Sequence, residues 1–192
     1  MIAPAARPLW RVFPWDRAAA EGEPFSASYL APRQVSGRFD LGGMPPVLYL
    51  GESAVHAIGE KIQRYRGQTL EAADLKEFGK PLALVEVSVV VPPTSIADLC
   101  DPSELVRWDC RPDELMSRDG LRTRSIGKRL YDGGLDGFRV WSALTGDWHS
   151  TVLFMDPAKA VSIATFGTPT EITLESAALK EAARFLAISV KG

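Results

Sequence analysis

Apolar positions along the chain fall into short runs with a period of two, separated by a few stretches with helical spacing. Residues 9–13 read as a brief strand, closed by Pro14 because proline has no N–H to give a sheet ladder. Residues 14–46 follow without a clear period and carry Pro24, Pro32, Gly37, Gly42, Gly43, Pro45 and Pro46. Regular structure there must be brief, and loops of that length commonly carry function. Residues 47–50 form a compact apolar strand. After it, Ser53 is placed to cap a helix running to residue 66, where Gly67 ends it. That helix puts Ala54, Ile58, Ile62 and Tyr65 on one stripe, and His56, Glu60, Gln63 and Arg64 on the opposite side. The first stripe is expected to pack and the second to meet water or a cleft.

Val85, Val87 and Val89 alternate with Glu86 and Ser88, the pattern of a half-buried strand that Pro92 and Pro93 stop. Residues 94–120 show no readable period. Residues 121–132 read as a helix stopped by Gly133 and Gly134, followed by a strand over 138–142. A turn at 145–147 and a further strand over 151–155 complete a hairpin. Two short strands are expected over 161–166 and 171–174. Ser176 then caps a last helix that carries Leu179, Ala182, Ala183 and Leu186. Strands and helices do not alternate strictly, so the expected class is α+β with a mixed sheet, residues 1–192 forming one domain.

The chain has 192 residues, 46% hydrophobic and 24% charged, which suits a globular fold with a real core. Its net charge of −2 provides no overall field for nucleic acid or an acidic membrane. Cys100 and Cys110 are too few to staple a secreted scaffold and read as reduced thiols. The first 15 residues hold no apolar stretch of secretion-signal length, and residues 82–91 are too short to span a bilayer and contain Glu86. A soluble, cytoplasmic protein is expected.

No phosphate-binding glycine loop, His-Glu-x-x-His pair or Gly-x-Ser-x-Gly elbow is present. With only His56 and His149, and no zinc spacing around Cys100 and Cys110, no metal site is expected. His56 and Glu60 stand one helical turn apart, a pairing common on solvated faces. Residues 107–129 carry seven basic and four acidic side chains. They read as a paired, exposed helix surface, the alternative being a dock for phosphate or an acidic partner.

Four segments in a fixed order are more specific. They are Trp10-Arg11-Val12-Phe13, Ser36-Gly37-Arg38-Phe39-Asp40, the run from Val47 through Tyr49 and Gly51 to Ala57-Ile58-Gly59-Glu60, and Leu135-Asp136-Gly137-Phe138-Arg139-Val140-Trp141-Ser142 followed by Thr151-Val152-Leu153-Phe154. Together they resemble the RES domain family, best known as toxins of bacterial toxin–antitoxin pairs. Two departures stand out. Phe39-Asp40 replaces a more usual Trp-Asn, and Trp141-Ser142 replaces a more usual Pro-Ser.

The resemblance implies a fold similar to ADP-ribosyltransferases. It also implies cleavage of NAD+ at the nicotinamide ribosyl bond, with inorganic phosphate as acceptor and nicotinamide and ADP-ribose 1″-phosphate as products. NAD+ and phosphate would be substrates rather than cofactors, and the implied partner is an Xre-type helix-turn-helix antitoxin. The oligomeric state stays open, a homodimer included. Bond cleavage leaves a ribosyl centre with oxocarbenium character, which a fixed carboxylate stabilises, so Glu60 is the candidate for that role. Arg11 and Arg38 offer forked donors for the anionic groups. The ring of Tyr49 could stack on nicotinamide, and the Ser142 hydroxyl could position the ribose or the carboxamide. Read without the family, these residues fit a solvated helix position, two surface or ion-paired arginines, a core tyrosine and a serine satisfying its own turn. The competing functions are NAD+ glycohydrolase, ADP-ribosyltransferase and a catalytically silent interaction module.

Overall fold

In a computed structural model of the chain, residues 8–31, 37–42, 45–117, 119–159 and 163–192 are described. Ser36, Arg118 and the first residues of the strand expected over 161–166 lie outside them. The regular elements are, in order, β1 (Leu9–Pro14), β2 (Val47–Gly51), α1 (Ala54–Ile62), β3 (Thr69–Leu70), β4 (Lys76–Glu77), β5 (Lys80–Val89) and β6 (Ile96–Asp98). The second half continues with α2 (Pro102–Arg107), α3 (Pro112–Leu115), α4 (Gly120–Asp132), β7 (Gly137–Trp141) and β8 (His149–Phe154), then β9 (Ala164–Phe166), β10 (Thr170–Glu171), α5 (Ala177–Phe185) and β11 (Ser189–Val190). This is the expected mixed α+β class. Pairing is mainly antiparallel, with β6–β7 and β3–β11 parallel. Among the described residues no helix is long and apolar enough to cross a membrane.

The chain divides into two compact units, one comprising Met1–Tyr29, Gly51–Ser88 and Thr165–Gly192, the other Leu30–Leu50 and Val89–Ala164. In the first unit, β1 pairs antiparallel with β5 from Leu9↔Val87 to Pro14↔Leu82, and Trp10 is also opposite Gly51. This register places Val12 and Leu84 on the face that packs against Ile58 and Ile62 of α1 and Leu179, Ala182 and Ala183 of α5. Burial of that stripe drives the helices onto the strands. The α1 helix begins as expected, with Ser53 Oγ accepting the His56 N–H at 3.0 Å. It ends earlier than expected, at Ile62, and a 3₁₀ turn over Gln63–Tyr65 carries the chain to Gly67.

In the second unit, β7 and β8 form the expected hairpin from Gly137↔Leu153 to Trp141↔His149, and β6 adds in parallel to β7. Phe39, Phe138 and Phe154 fill the core beside Leu130 of α4 and Leu115 of α3, with Phe39 and Phe138 edge to face at 4.9 Å. Among its described residues, segment 94–120, unreadable by period, contains β6 and two short helices. Both carry proline at their first position, which suits the missing N–H, and Asp101 caps α2 by accepting the Ser103 N–H at 2.8 Å. Around α2–α4 the charges pair: Arg107 with Glu104, Arg111 with Asp113, Arg122 with Asp119 and Lys128 with Asp132. Four of the basic side chains described in this stretch are thus paired on an exposed surface. Cys100 and Cys110 are both free thiols.

Candidate functional site

Arg11 and Glu60 lie in the first unit, and Arg38, Tyr49 and Ser142 in the second. On β1, Arg11 is opposite Val85, so it emerges from the face opposite Val12 and the helices. Its two terminal nitrogens donate to the carbonyls of Ala27 and Tyr29, the latter at 2.7 Å, in the irregular stretch after β1. No carboxylate pairs with it among the described residues. Burial without a countercharge pushes the guanidinium down to about 10. The guanidinium carbon also lies 5.3 Å from the Phe13 ring centre. A half-buried cation with neutral carbonyls and a ring as its partners still lacks a countercharge, which an anionic ligand would supply.

Glu60 sits on α1 with its side chain 38% exposed, between His56 of the same helix and Gln63 just past its end. His56 Nε2 lies 3.3 Å from its Oε1, and Gln63 Nε2 donates to its Oε2 at 3.1 Å. Both carboxylate oxygens are thereby oriented while part of the group stays open. The expected position of His56 on the wet side is incorrect: its side chain is 1% exposed. The helix starts directly after β2, and its first turn lies against Gly51. A Cβ there would come 2.8 Å from Ala57 N and 3.1 Å from His56 Nδ1. The absent side chain at Gly51 thus makes room for the imidazole.

Arg38 and Tyr49 belong to one local network. Arg38 donates through Nη2 to Leu115 O at the end of α3, its own carbonyl accepts the Thr123 hydroxyl of α4, and its guanidinium lies 5.1 Å from the Phe39 ring centre. Tyr49 Oη accepts the Phe39 N–H at 2.8 Å and donates to Asp40 Oδ1 at 2.9 Å. The other oxygen of Asp40 takes the Gly37 N–H at 2.5 Å. Asp40, 2% exposed, is therefore the fastening point that joins the 37–40 turn to β2. The Gly-x-x-Asp spacing was the available signal for it, since an Asp three residues on can close a turn on a backbone N–H. Gly37 is required by close approach, because a Cβ would come within 2.5 Å of Tyr49 Oη.

Burial first, and then the Asp40 charge, push the Tyr49 phenol well above its ordinary value of 10. A phenol bound more tightly to its proton in the fold supports stability below pH 10 and withdraws that support as pH rises further. The loss of stability on going from pH 9 to pH 11 should therefore be smaller in Tyr49→Phe than in the parent. Urea unfolding at the two pH values measures this, and the comparison cancels the opposite trend from Arg11. Equal losses in both proteins would contradict the buried, Asp-bound phenol.

Ser142 follows β7 directly and is 1% exposed. Its N–H donates to Trp148 O at 2.7 Å and its Oγ accepts the Leu144 N–H at 3.0 Å, closing the turn before β8. This is the arrangement of a strand-end serine engaged with its own turn. Direct contacts join Arg38's turn to Tyr49, and Glu60 to His56. Arg11 and Ser142 are each held by separate local bonds.

Among solved structures, the crystal structure of the M. tuberculosis MbcT–MbcA toxin–antitoxin complex is similar in fold, with a TM-score of 0.60 and 16% sequence identity. The similarity covers 94% of this chain and 89% of that one. No curated protein matches the sequence. The family model for the RES domain matches residues 8–175, which takes in all four motif segments, Glu60 and Ser142. The chain belongs to the RES domain family.

Proposed function

We propose that this protein is the toxin of a toxin–antitoxin pair and degrades NAD+ by phosphorolysis. Family membership supports the NAD+ chemistry, and the similar fold in a toxin–antitoxin complex supports an antitoxin as partner. The observation that favours this substrate class is Arg11, a half-buried guanidinium that meets two backbone carbonyls and no carboxylate among the described residues. Such a group suits a ligand that brings its own negative charge, as a dinucleotide diphosphate does.

In this reaction an oxygen of inorganic phosphate forms a bond to C1″ of the nicotinamide ribose as the bond to the pyridinium nitrogen breaks. The bonding pair goes to that nitrogen, and neutral nicotinamide leaves. Positive charge spreads over the ribosyl centre in between, and the Glu60 carboxylate, oriented by His56 and Gln63, stabilises it. Arg11 and Arg38 hold the anionic groups. The Tyr49 ring, fixed by its bond to Asp40, stacks on the nicotinamide, and Ser142 positions the ribose or the carboxamide.

Turnover of NAD+ by the purified protein should require phosphate, and the rate should rise with phosphate until it saturates. Unchanged turnover in phosphate-free buffer would reject phosphorolysis in favour of a glycohydrolase. Arg38→Ala should raise the KM for NAD+ or phosphate by about tenfold or more, as expected for loss of one charge-assisted contact. An unchanged KM for both would remove Arg38 from the binding site.

A further inference from the structure

A pocket of about 470 Å³ opens in the first unit on the face of the β1–β5 pair opposite Arg11. The register fixes this separation: Arg11 is opposite Val85, whereas Trp10 is opposite Glu86, and neighbours along a strand point to opposite faces. Trp10, Leu84 and Phe166 supply apolar walls, and the hydroxyls of Ser88 and Thr168 lie at the rim. Among the described residues Glu86 is the one charged lining residue, exposed and cross-strand to Trp10. Among the described residues no cation pairs with its carboxylate, and no ring or cation stacks on the half-buried indole. The Gly167 N–H donates to Glu86 O at 2.9 Å, which fixes the rim segment against β5.

We propose that this pocket seats an arginine side chain of a partner polypeptide. An aromatic face beside a lone carboxylate attracts a guanidinium twice, through the ring quadrupole and through a forked ion pair. The methylene stem then lies along Leu84 and Phe166, as long cationic side chains do on apolar surface. The volume falls within the range of about 300–1,000 Å³ common for ligand pockets. The exposed rim and single carboxylate hold a free small cation poorly, so the occupant is an arginine presented by a chain whose backbone meets the rim hydroxyls.

The test is an NMR titration of the full-length ¹⁵N-labelled protein with acetyl-Ala-Arg-Ala-amide, its glutamine counterpart and agmatine. The arginyl peptide should shift the Trp10 indole N–H signal, identified by its absence in Trp10→Phe, with saturation in roughly the millimolar range. The glutamine peptide and agmatine should bind about tenfold more weakly or worse, and Glu86→Gln should weaken the arginyl peptide about tenfold. NAD+ turnover should be unchanged in Glu86→Gln, so the result reads this pocket independently of the NAD+ chemistry. No saturable shift, or equal binding by the glutamine peptide or by Glu86→Gln, would overturn the site. Equal binding of agmatine would overturn the polypeptide occupant.

Discussion

Glu60→Gln is expected to reduce NAD+ consumption by about 10²–10⁴-fold while the protein stays folded. The substitution keeps the shape of the side chain and removes the charge. The neutral amide cannot stabilise the oxocarbenium-like ribose as it forms, so the loss should appear in kcat rather than in KM. Stability should change little, because the carboxylate is 38% exposed and its local partners are worth at most about 1 kcal/mol each in that setting. A steady-state assay paired with a thermal melt checks both halves. Full turnover in the variant would remove Glu60 as the charge stabiliser and favour a silent interaction module.

The second large effect is expected at Arg11. Replacing it with Met should lower NAD+ affinity by about 2–4 kcal/mol, or roughly 30- to 1,000-fold, the usual loss when one partner of a desolvated charge pair is removed. The fold itself should survive, since the variant removes a half-buried cation that has no protein carboxylate among the described residues and leaves two half-buried carbonyls to find water. The effect is best read in the Glu60→Gln background, where NAD+ is bound without being consumed. There NAD+ should raise the melting temperature, and adding Arg11→Met should abolish the rise. A ligand-induced rise of equal size with and without Arg11 would contradict its role.

Elements stabilised by contacts close in sequence were legible before the structure. The β7–β8 hairpin follows from alternation around a glycine-containing turn, α4 from its spacing and the Gly133–Gly134 stop, and the start of α1 from Ser53. Strands β1 and β5, although distant in sequence, were legible from their own apolar patterns, whereas the short strands β3, β6 and β11, which exist only against a distant edge, were not. β6 is three residues long and exists because β7, some 40 residues away, offers a parallel edge; β3 likewise needs β11 at the other end of the chain. The same division holds for the candidate site. Glu60 is named as a site residue by the resemblance alone, since helical spacing by itself gives a solvated position, whereas its contacts with His56 and Gln63 follow from that spacing. Periodicity places His56 on the side facing water or a cleft, although it is buried, because spacing on α1 carries no information about the room left at Gly51. Arg11 could be named but not its setting, since it is held by the carbonyls of Ala27 and Tyr29, and backbone carbonyls leave no mark on a sequence. The Phe39-Asp40 departure from the family pattern resolves physically: Phe39 fills the core against Phe138, and Asp40 ties Gly37 to Tyr49.

Scission of NAD+ at the nicotinamide ribosyl bond with phosphate as acceptor is decided by the identity of the products. Proton and phosphorus NMR of the purified protein with NAD+ and phosphate should show free nicotinamide appearing in step with one new ribosyl phosphate resonance. NAD+ left intact, or nicotinamide released with free ADP-ribose and no such resonance, would contradict it.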